Sequence, residues 1–306
     1  MSSGDRIILV TGAAGQLGCE LLLLPALPVG VRVVGAERDT CDITDPEAVR
    51  RCIVLHRPVV VINAAAYTAV DRAEAERARA FAVNADGPAY LAAACAEAGI
   101  PLFHVSTDYV FDGSKATPWR IDDETAPLGV YGASKRAGEN AVRAACKQHL
   151  VLRTSWVFGQ HGNNFVRTML RLATTRDVLR VVGDQRGGPT WTGDIAAELL
   201  ALAMRHLDGE SLAWGTWHYA GAPATSWCEF ACTIVDEALA IGLLARRTPV
   251  QAIATHEFPT PTRRPANSVL DMSETTQALG IVASDWRVGL RRVLAGWRRD
   301  GVRFDR

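Results

Sequence analysis

The chain has 306 residues, 33 Lys+Arg balanced by 33 Asp+Glu, and nearly half of its residues are hydrophobic. This length allows two domains, or one large one with a lobe, and the composition supports a packed core, which excludes a disordered, collagenous or small disulfide-stapled chain. Zero net charge argues against general nucleic-acid binding, which needs surplus cations to displace phosphate counterions, and no uncharged run reaches the roughly 18 residues of a membrane-spanning helix.

In chain order, residues 6–11 form a near-continuous apolar run, as in a strand buried on both faces. Glycines follow, then a helix over 17–24 cut at Pro25. Residues 31–34 read as a second strand, and Asp45-Pro46 opens a helix with proline in its first turn. A third strand at 59–63, helices at 71–81 and 85–98, a fourth strand at 102–106, a helix at 134–147 and a strand at 150–157 complete the first half. This alternation predicts an α/β fold, a Rossmann-type parallel sheet with helices on both faces and its ligand loops along one edge. The second half is less regular: helices at 164–175, 194–206, 227–239 and 286–299, strands at 179–182 and 216–220, and a proline-rich ordered loop at 256–265. The expected division is a dinucleotide-binding domain over 1–158, with 190–222 returning to it, and a smaller C-terminal substrate lobe from 159–189 and 223–306.

The seven cysteines are scattered, odd in number and without CxxC, which reads as reduced thiols in a cytoplasmic protein. The N-terminus shows no signal-peptide core. None of the seven histidines has metal-site spacing, His104 reads as a packed strand residue, and there is no GxSxG elbow; no metal ligand is predicted.

Gly12-Ala13-Ala14-Gly15-Gln16-Leu17-Gly18 lies between the first strand and the first helix. There the backbone of Gly12, Gly15, Gln16, Leu17 and Gly18 approaches a pyrophosphate at a helix N-terminus. Asp42-Ile43 follows the second strand, where a carboxylate serves either the adenine amino group or a helix cap. Ala64, Ala65, Ala66 and Thr68 follow the third strand, small enough for a cofactor to lie on backbone. Glu37 beside Arg38 gives opposed signals at the ribose 2′ position, acidic for NADH and basic for NADPH, and the choice between them stays open at this point. Tyr131 and Lys135 are spaced to share a helix face, and an ammonium near a phenol favours phenolate. With the Thr107 hydroxyl at the end of the fourth strand, they make a proton-donating set for a carbonyl under reduction.

These motifs resemble the dTDP-4-dehydrorhamnose reductase family, extended short-chain dehydrogenase/reductases of the sugar-nucleotide class. The resemblance runs through Val61–Asp71, Ser106–Phe111, Tyr131-Gly132 with Lys135, Arg153–Val157, Gly162–Phe165, Asp184-Gln185 with Pro189-Thr190, Pro259–Pro261 and Arg263–Pro265. It implies NAD(P)H-dependent reduction of the C4 carbonyl of dTDP-4-dehydro-β-L-rhamnose to dTDP-L-rhamnose, for bacterial surface polysaccharide. Alternatives are reduction of another dTDP-4-keto-6-deoxysugar, or a non-catalytic regulatory subunit of the same fold. It further implies that Tyr131 and Lys135 hold the nicotinamide ribose, that Thr107, Asp108 and Trp156 meet the deoxysugar, and that Asn164, Pro189, Thr190 and Arg264 serve the nucleotide end. A Mg2+-bridged homodimer occurs among relatives. Glu20 fits one ligand position, but Gly193 stands where another carboxylate is expected, which counts against the bridge and leaves a homodimer open.

Overall fold

The structure, a computed structural model, describes residues 5–23 and 27–304. Its strands are β1 (Arg6–Thr11), β2 (Val31–Ala36), β3 (Val60–Asn63), β4 (Leu102–Thr107), β5 (His149–Thr154), β6 (Val157–Phe158), β7 (Leu179–Val182), β8 (Arg186–Gly187), β9 (Thr190–Trp191), β10 (Gly215–His218), β11 (Thr225–Ser226) and β12 (Val250–Ile253). Six of them, all parallel, form one sheet in the order β10-β5-β4-β3-β1-β2. Strand alternation splits their apolar side chains between two cores. Ile8, Val10, Ile62, Phe103, Leu150 and Leu152 face one layer of helices. Leu9, Val61, Leu102 and Val151 face the other. Burial on both faces is why these strands read as apolar runs rather than alternating ones. The chain leaves β1 toward β2 on one side and returns to β3 on the other, so a crevice opens beyond the ends of β1 and β3.

A third core lies outside the sheet. Helices Phe165–Thr175, Trp227–Ala240 and Trp286–Arg299 pack Leu170, Phe230, Trp286 and Trp297 together, beside the parallel pair β7–β12. The helix Thr192–Leu207 instead packs Ile195 and Leu199 into the first sheet core, and β10 extends the main sheet. Leu279 and Ile281, placed by the sequence reading in the lobe, also pack into that sheet core. Their segment is too short for periodicity to reveal its partner.

Several local departures from the expected elements lie near the crevice. The stretch expected as one strand at 150–157 breaks after Thr154, because Trp156 adopts a left-handed backbone (φ 48°), rare for a bulky residue and invisible to strand propensity. The helix expected at 71–81 is two short ones, Val70–Ala73 and Arg77–Phe81, followed by a π-helical turn, Ala82–Asp86, that runs into the helix Gly87–Ala98. The helix expected at 134–147 spans Val130–Ala145, so Tyr131 sits in its first turn. Its first turn is capped by the distant Glu74 carboxylate, which accepts from the Val130 N–H at 2.9 Å. A cap from another part of the chain leaves no local sequence signal. The expected helix stop at 24–25 lies outside the described residues.

Candidate active site

A cavity of about 990 Å³ opens between the sheet edge and the lobe. Gly12, Gly15, Gln16 and Leu17 of the glycine loop line it. Gly12 has a positive φ of 73°, and a Cβ there would come within 2.5 Å of the Ala65 backbone, so the turn after β1 packs directly on the turn after β3. Gly18 is not on the cavity wall. A Cβ on it would strike the Gly12 carbonyl oxygen, so this glycine lets the helix Gln16–Leu23 sit close on its own loop.

Glu37, Arg38, Asp42 and Ile43 line the cavity beyond β2. Of the two readings of Asp42, the helix cap is ruled out: the cap is Asp45, which accepts from the Glu47 N–H. Asp42 instead accepts from the Thr44 hydroxyl at 2.7 Å and pairs with Arg38 at 3.1 Å, and these partners hold its carboxyl below the usual range. Ala64, Ala65, Ala66 and Thr68 line the floor beyond β3. Their turn is tied down by Asn84 from the π-helical turn. The Asn84 side chain accepts from the Tyr67 N–H and donates to the Tyr67 carbonyl and to Ser134 Oγ, joining the turn to the helix that carries Tyr131.

Tyr131, Lys135, Thr107, Asp108 and Trp156 all reach the same cavity. The Thr107 hydroxyl donates to Asp108 Oδ1 at 3.0 Å, while Asp108 Oδ2 is buried without a partner. Burial raises the Asp108 carboxyl to about 6. Burial likewise pushes the Tyr131 phenol above its ordinary value, with Thr107 pulling the other way. Lys135 is not among the groups that shift the phenol here. The Lys135 ammonium donates to the Val105 carbonyl at 2.7 Å and is itself pushed down to about 8 by burial, with Glu139 opposing. Glu139 is fully buried and neutralised by Arg153, which donates to both of its carboxylate oxygens.

Trp156 stacks on Trp227, ring centroids 3.5 Å apart and ring planes nearly parallel, and Phe165 packs against the same Trp227. Both Trp227 and Phe165 line the cavity, as do Tyr67, Tyr109 and Arg79. Tyr67, Tyr109 and Phe165 lie within the motifs quoted above, whereas Trp227 and Arg79 lie in none of them. Aromatic clustering of residues 71 apart is a product of tertiary folding.

The residues expected at the nucleotide end stand back from the wall. Asn164 caps the helix Phe165–Thr175 and donates to Gln16 Oε1 at 3.0 Å, so it joins the lobe to the glycine loop. Pro189 and Thr190 are buried, and the Thr190 hydroxyl is used internally, donating to the Gly188 carbonyl and accepting from the Gly221 N–H. Arg264 pairs with Asp71 at 2.7 Å and lies over the Tyr109 ring. Glu20 accepts from the Thr192 hydroxyl, and among the described residues no cluster of three or more His, Cys, Asp or Glu could hold a metal ion.

The residues fit a dinucleotide. The Gly12 turn leaves a cradle that a side chain would fill, a helix N-terminus faces it, and buried unpartnered atoms on the wall, Thr154 Oγ1 and Asp108 Oδ2, await polar groups. A parallel sheet with this crevice, a Tyr-Lys pair and a neighbouring threonine defines an NAD(P)H-dependent reductase of the short-chain type. Residues 6–299 match the family model described as RmlD substrate binding domain. The chain is 46% identical over 288 residues to a dTDP-4-dehydrorhamnose reductase of Aggregatibacter actinomycetemcomitans, covering 94% of this chain and 98% of that one. It also resembles the crystal structure of dTDP-4-dehydrorhamnose reductase from Bacillus anthracis in complex with NADP, at TM-score 0.87 and 33% identity, covering 95% of this chain and 99% of that one. The Clostridium acetobutylicum ortholog superposes at TM-score 0.86 with 37% identity, covering 96% and 100%. The chain belongs to the dTDP-4-dehydrorhamnose reductase family, NAD(P)H-dependent oxidoreductases of rhamnose biosynthesis.

Proposed function

We propose that this chain reduces the C4 carbonyl of dTDP-4-dehydro-β-L-rhamnose, yielding dTDP-L-rhamnose, with NADPH and also NADH as cofactor. The observation that carries the reading is the presence of Tyr131, Thr107, Lys135 and Asp108 on one cavity wall with the glycine loop. When bound, the dihydronicotinamide supplies a hydride. Gly12, Gly15, Gln16 and Leu17 receive the pyrophosphate, Glu37, Arg38, Asp42 and Ile43 receive the adenosine end, and Ala64 to Thr68 line the path between. Tyr131 donates its hydroxyl proton to the C4 oxygen as that oxygen gains charge. The Thr107 hydroxyl orients the same oxygen, and Lys135 holds the ribose. Asp108 and Trp156 meet the deoxysugar. Arg264 acts at one remove, through Tyr109 and Asp71, and Asn164 through Gln16.

The partner is thus a small sugar nucleotide. Seven unpaired cysteines fit the reducing cytoplasm, and among the described residues no helix is long and apolar enough to cross a membrane. The reading holds for a monomer or a homodimer.

The test is NADPH oxidation by the purified protein on dTDP-4-dehydro-β-L-rhamnose, with the C4 configuration of the product read by NMR. Formation of the rhamno product is expected. The opposite C4 epimer would point to another dTDP-4-keto-6-deoxysugar pathway, and no oxidation would favour a non-catalytic role.

A further inference from the structure

The imidazole of His104, on β4, is wholly buried, and its two ring nitrogens face different partners. Nδ1 lies 3.0 Å from Asn63 Nδ2, and Nε2 lies 3.5 Å from Lys135 Nζ. The direction of these contacts is fixed from the far end of the chain. Asn63 Oδ1 accepts from the Ala65 backbone N–H at 3.1 Å and from the Thr11 hydroxyl at 2.8 Å. A backbone N–H is only a donor, so the oxygen of the Asn63 amide must point that way and its NH2 group must point at His104. Nδ1 is then an acceptor. Burial and the neighbouring lysine hold the imidazole far below its ordinary pKa, so it is neutral and carries its one proton on Nε2. That N–H is aimed at Lys135.

We propose that Thr11, Asn63 and His104 form a tautomer lock, in which the His104 Nε2–H faces Lys135 Nζ, eases loss of the lysine proton, and makes His104 a positioning residue for the Tyr131/Lys135 pair. An ammonium offers only donors, so its N–H groups would confront the imidazole N–H. A neutral amine presents a lone pair to His104 while still donating to the Val105 carbonyl. The lock therefore eases loss of the lysine proton, in the same direction as burial. The other charged or titratable groups around Lys135 are Tyr131 and Glu139 on its own helix and Arg153 on β5, which neutralises Glu139, while Asp108, just beyond β4, acts on Tyr131 across the same cavity. The Glu139 charge favours the ammonium, so His104 and Glu139 pull Lys135 in opposite directions. The sequence reading had His104 as a packed strand residue; its burial fits that, but its polar partners give it a second role.

The proposal deepens the reductase reading and rests on it for the catalytic consequence. Two measurements separate the two. In histidine-labelled protein, 15N NMR reads the tautomer, with His104 assigned by the loss of its signals in His104→Gln. The expected result is Nε2–H with unprotonated Nδ1, and a titration inflection from Lys135 near pH 8 that disappears in Lys135→Met. The Nδ1–H tautomer, or a flat titration, would overturn the lock whether or not the enzyme turns over. In Asn63→Asp, a carboxylate replaces the amide donor, Nδ1 becomes protonated, and Nε2 turns its lone pair toward Lys135. The alkaline limb of kcat should then move up by about one pH unit, since the ammonium gains an acceptor and a nearby negative charge. A flipped tautomer with an unmoved limb would remove the link to Lys135. Should Asn63→Asp fail to fold, the wild-type titration decides. A wild-type protein with the lock but without turnover would sink the reductase reading alone.

Discussion

Tyr131 sits in the first turn of its helix with its ring edge against Tyr109, and burial holds its proton firmly. A firmly held proton suits an acid that must wait for a strong base, and the alkoxide formed on C4 is one. Tyr131→Phe removes that proton while keeping the ring packing. Turnover should fall by about 10²–10⁴-fold with cofactor affinity nearly unchanged, measured by steady-state kinetics and NADPH titration. Asp108 is the second residue with stored cost. Its folded pKa of about 6 lies above the ordinary 3.8, so its stabilising contribution is complete below pH 3.8 and is lost as pH rises through 6. At neutral pH the ionised carboxylate is a buried, half-partnered charge. Asp108→Asn should therefore raise stability at pH 7.5 by about 1–3 kcal/mol, with little gain at pH 4, while lowering turnover. Denaturant unfolding at the two pH values checks it.

At the scale of single elements, the first half of the fold was legible because doubly buried strands announce themselves as apolar runs and glycines mark the turn after β1. What could not be read lies where one segment completes another. The start of the Tyr131 helix depends on Glu74, 56 positions earlier, and that carboxylate also accepts from the Thr262 hydroxyl. Glu74→Ala should cost about 1 kcal/mol, as for loss of an ordinary helix cap. It should also lower kcat more than it raises KM for NADPH, because Tyr131 is in the turn it uncaps. On the proposed reading, the turn after β2 sets the cofactor choice. Arg38 is paired with Asp42, next to Glu37, so its charge is shared before any 2′-phosphate arrives. NADH should work within about tenfold of NADPH, a difference of about 1.4 kcal/mol. Arg38→Ala should weaken NADPH and leave NADH nearly unchanged; equal losses in the two KM values would take Arg38 out of the site.

At the scale of the molecule, the sheet presents the cofactor residues along one edge and the lobe closes over them, with Gln16 touching both Asn163 and Asn164 across the cleft. The cofactor loop and the Tyr131/Lys135 pair were legible because each is a short local pattern on a regular frame. The lobe's contribution was less so. Pro189, Thr190 and Arg264, expected at the nucleotide end, do not line the cavity, whereas Trp227 and Phe165, which do line it, lie on helices whose apolar spacing reads equally well as core. A cleft shared between two parts of the chain should draw on the whole substrate. The free 4-keto sugar, lacking the thymidine diphosphate, should lose kcat as well as affinity, because remote contacts orient the reacting carbonyl. The most direct measurement of the central claim uses NADPH deuterated at the transferring position of the nicotinamide. The account predicts dTDP-L-rhamnose carrying deuterium on C4, formed by the wild-type enzyme and nearly abolished in Tyr131→Phe. Product without deuterium at C4, or undiminished formation by Tyr131→Phe, would contradict it.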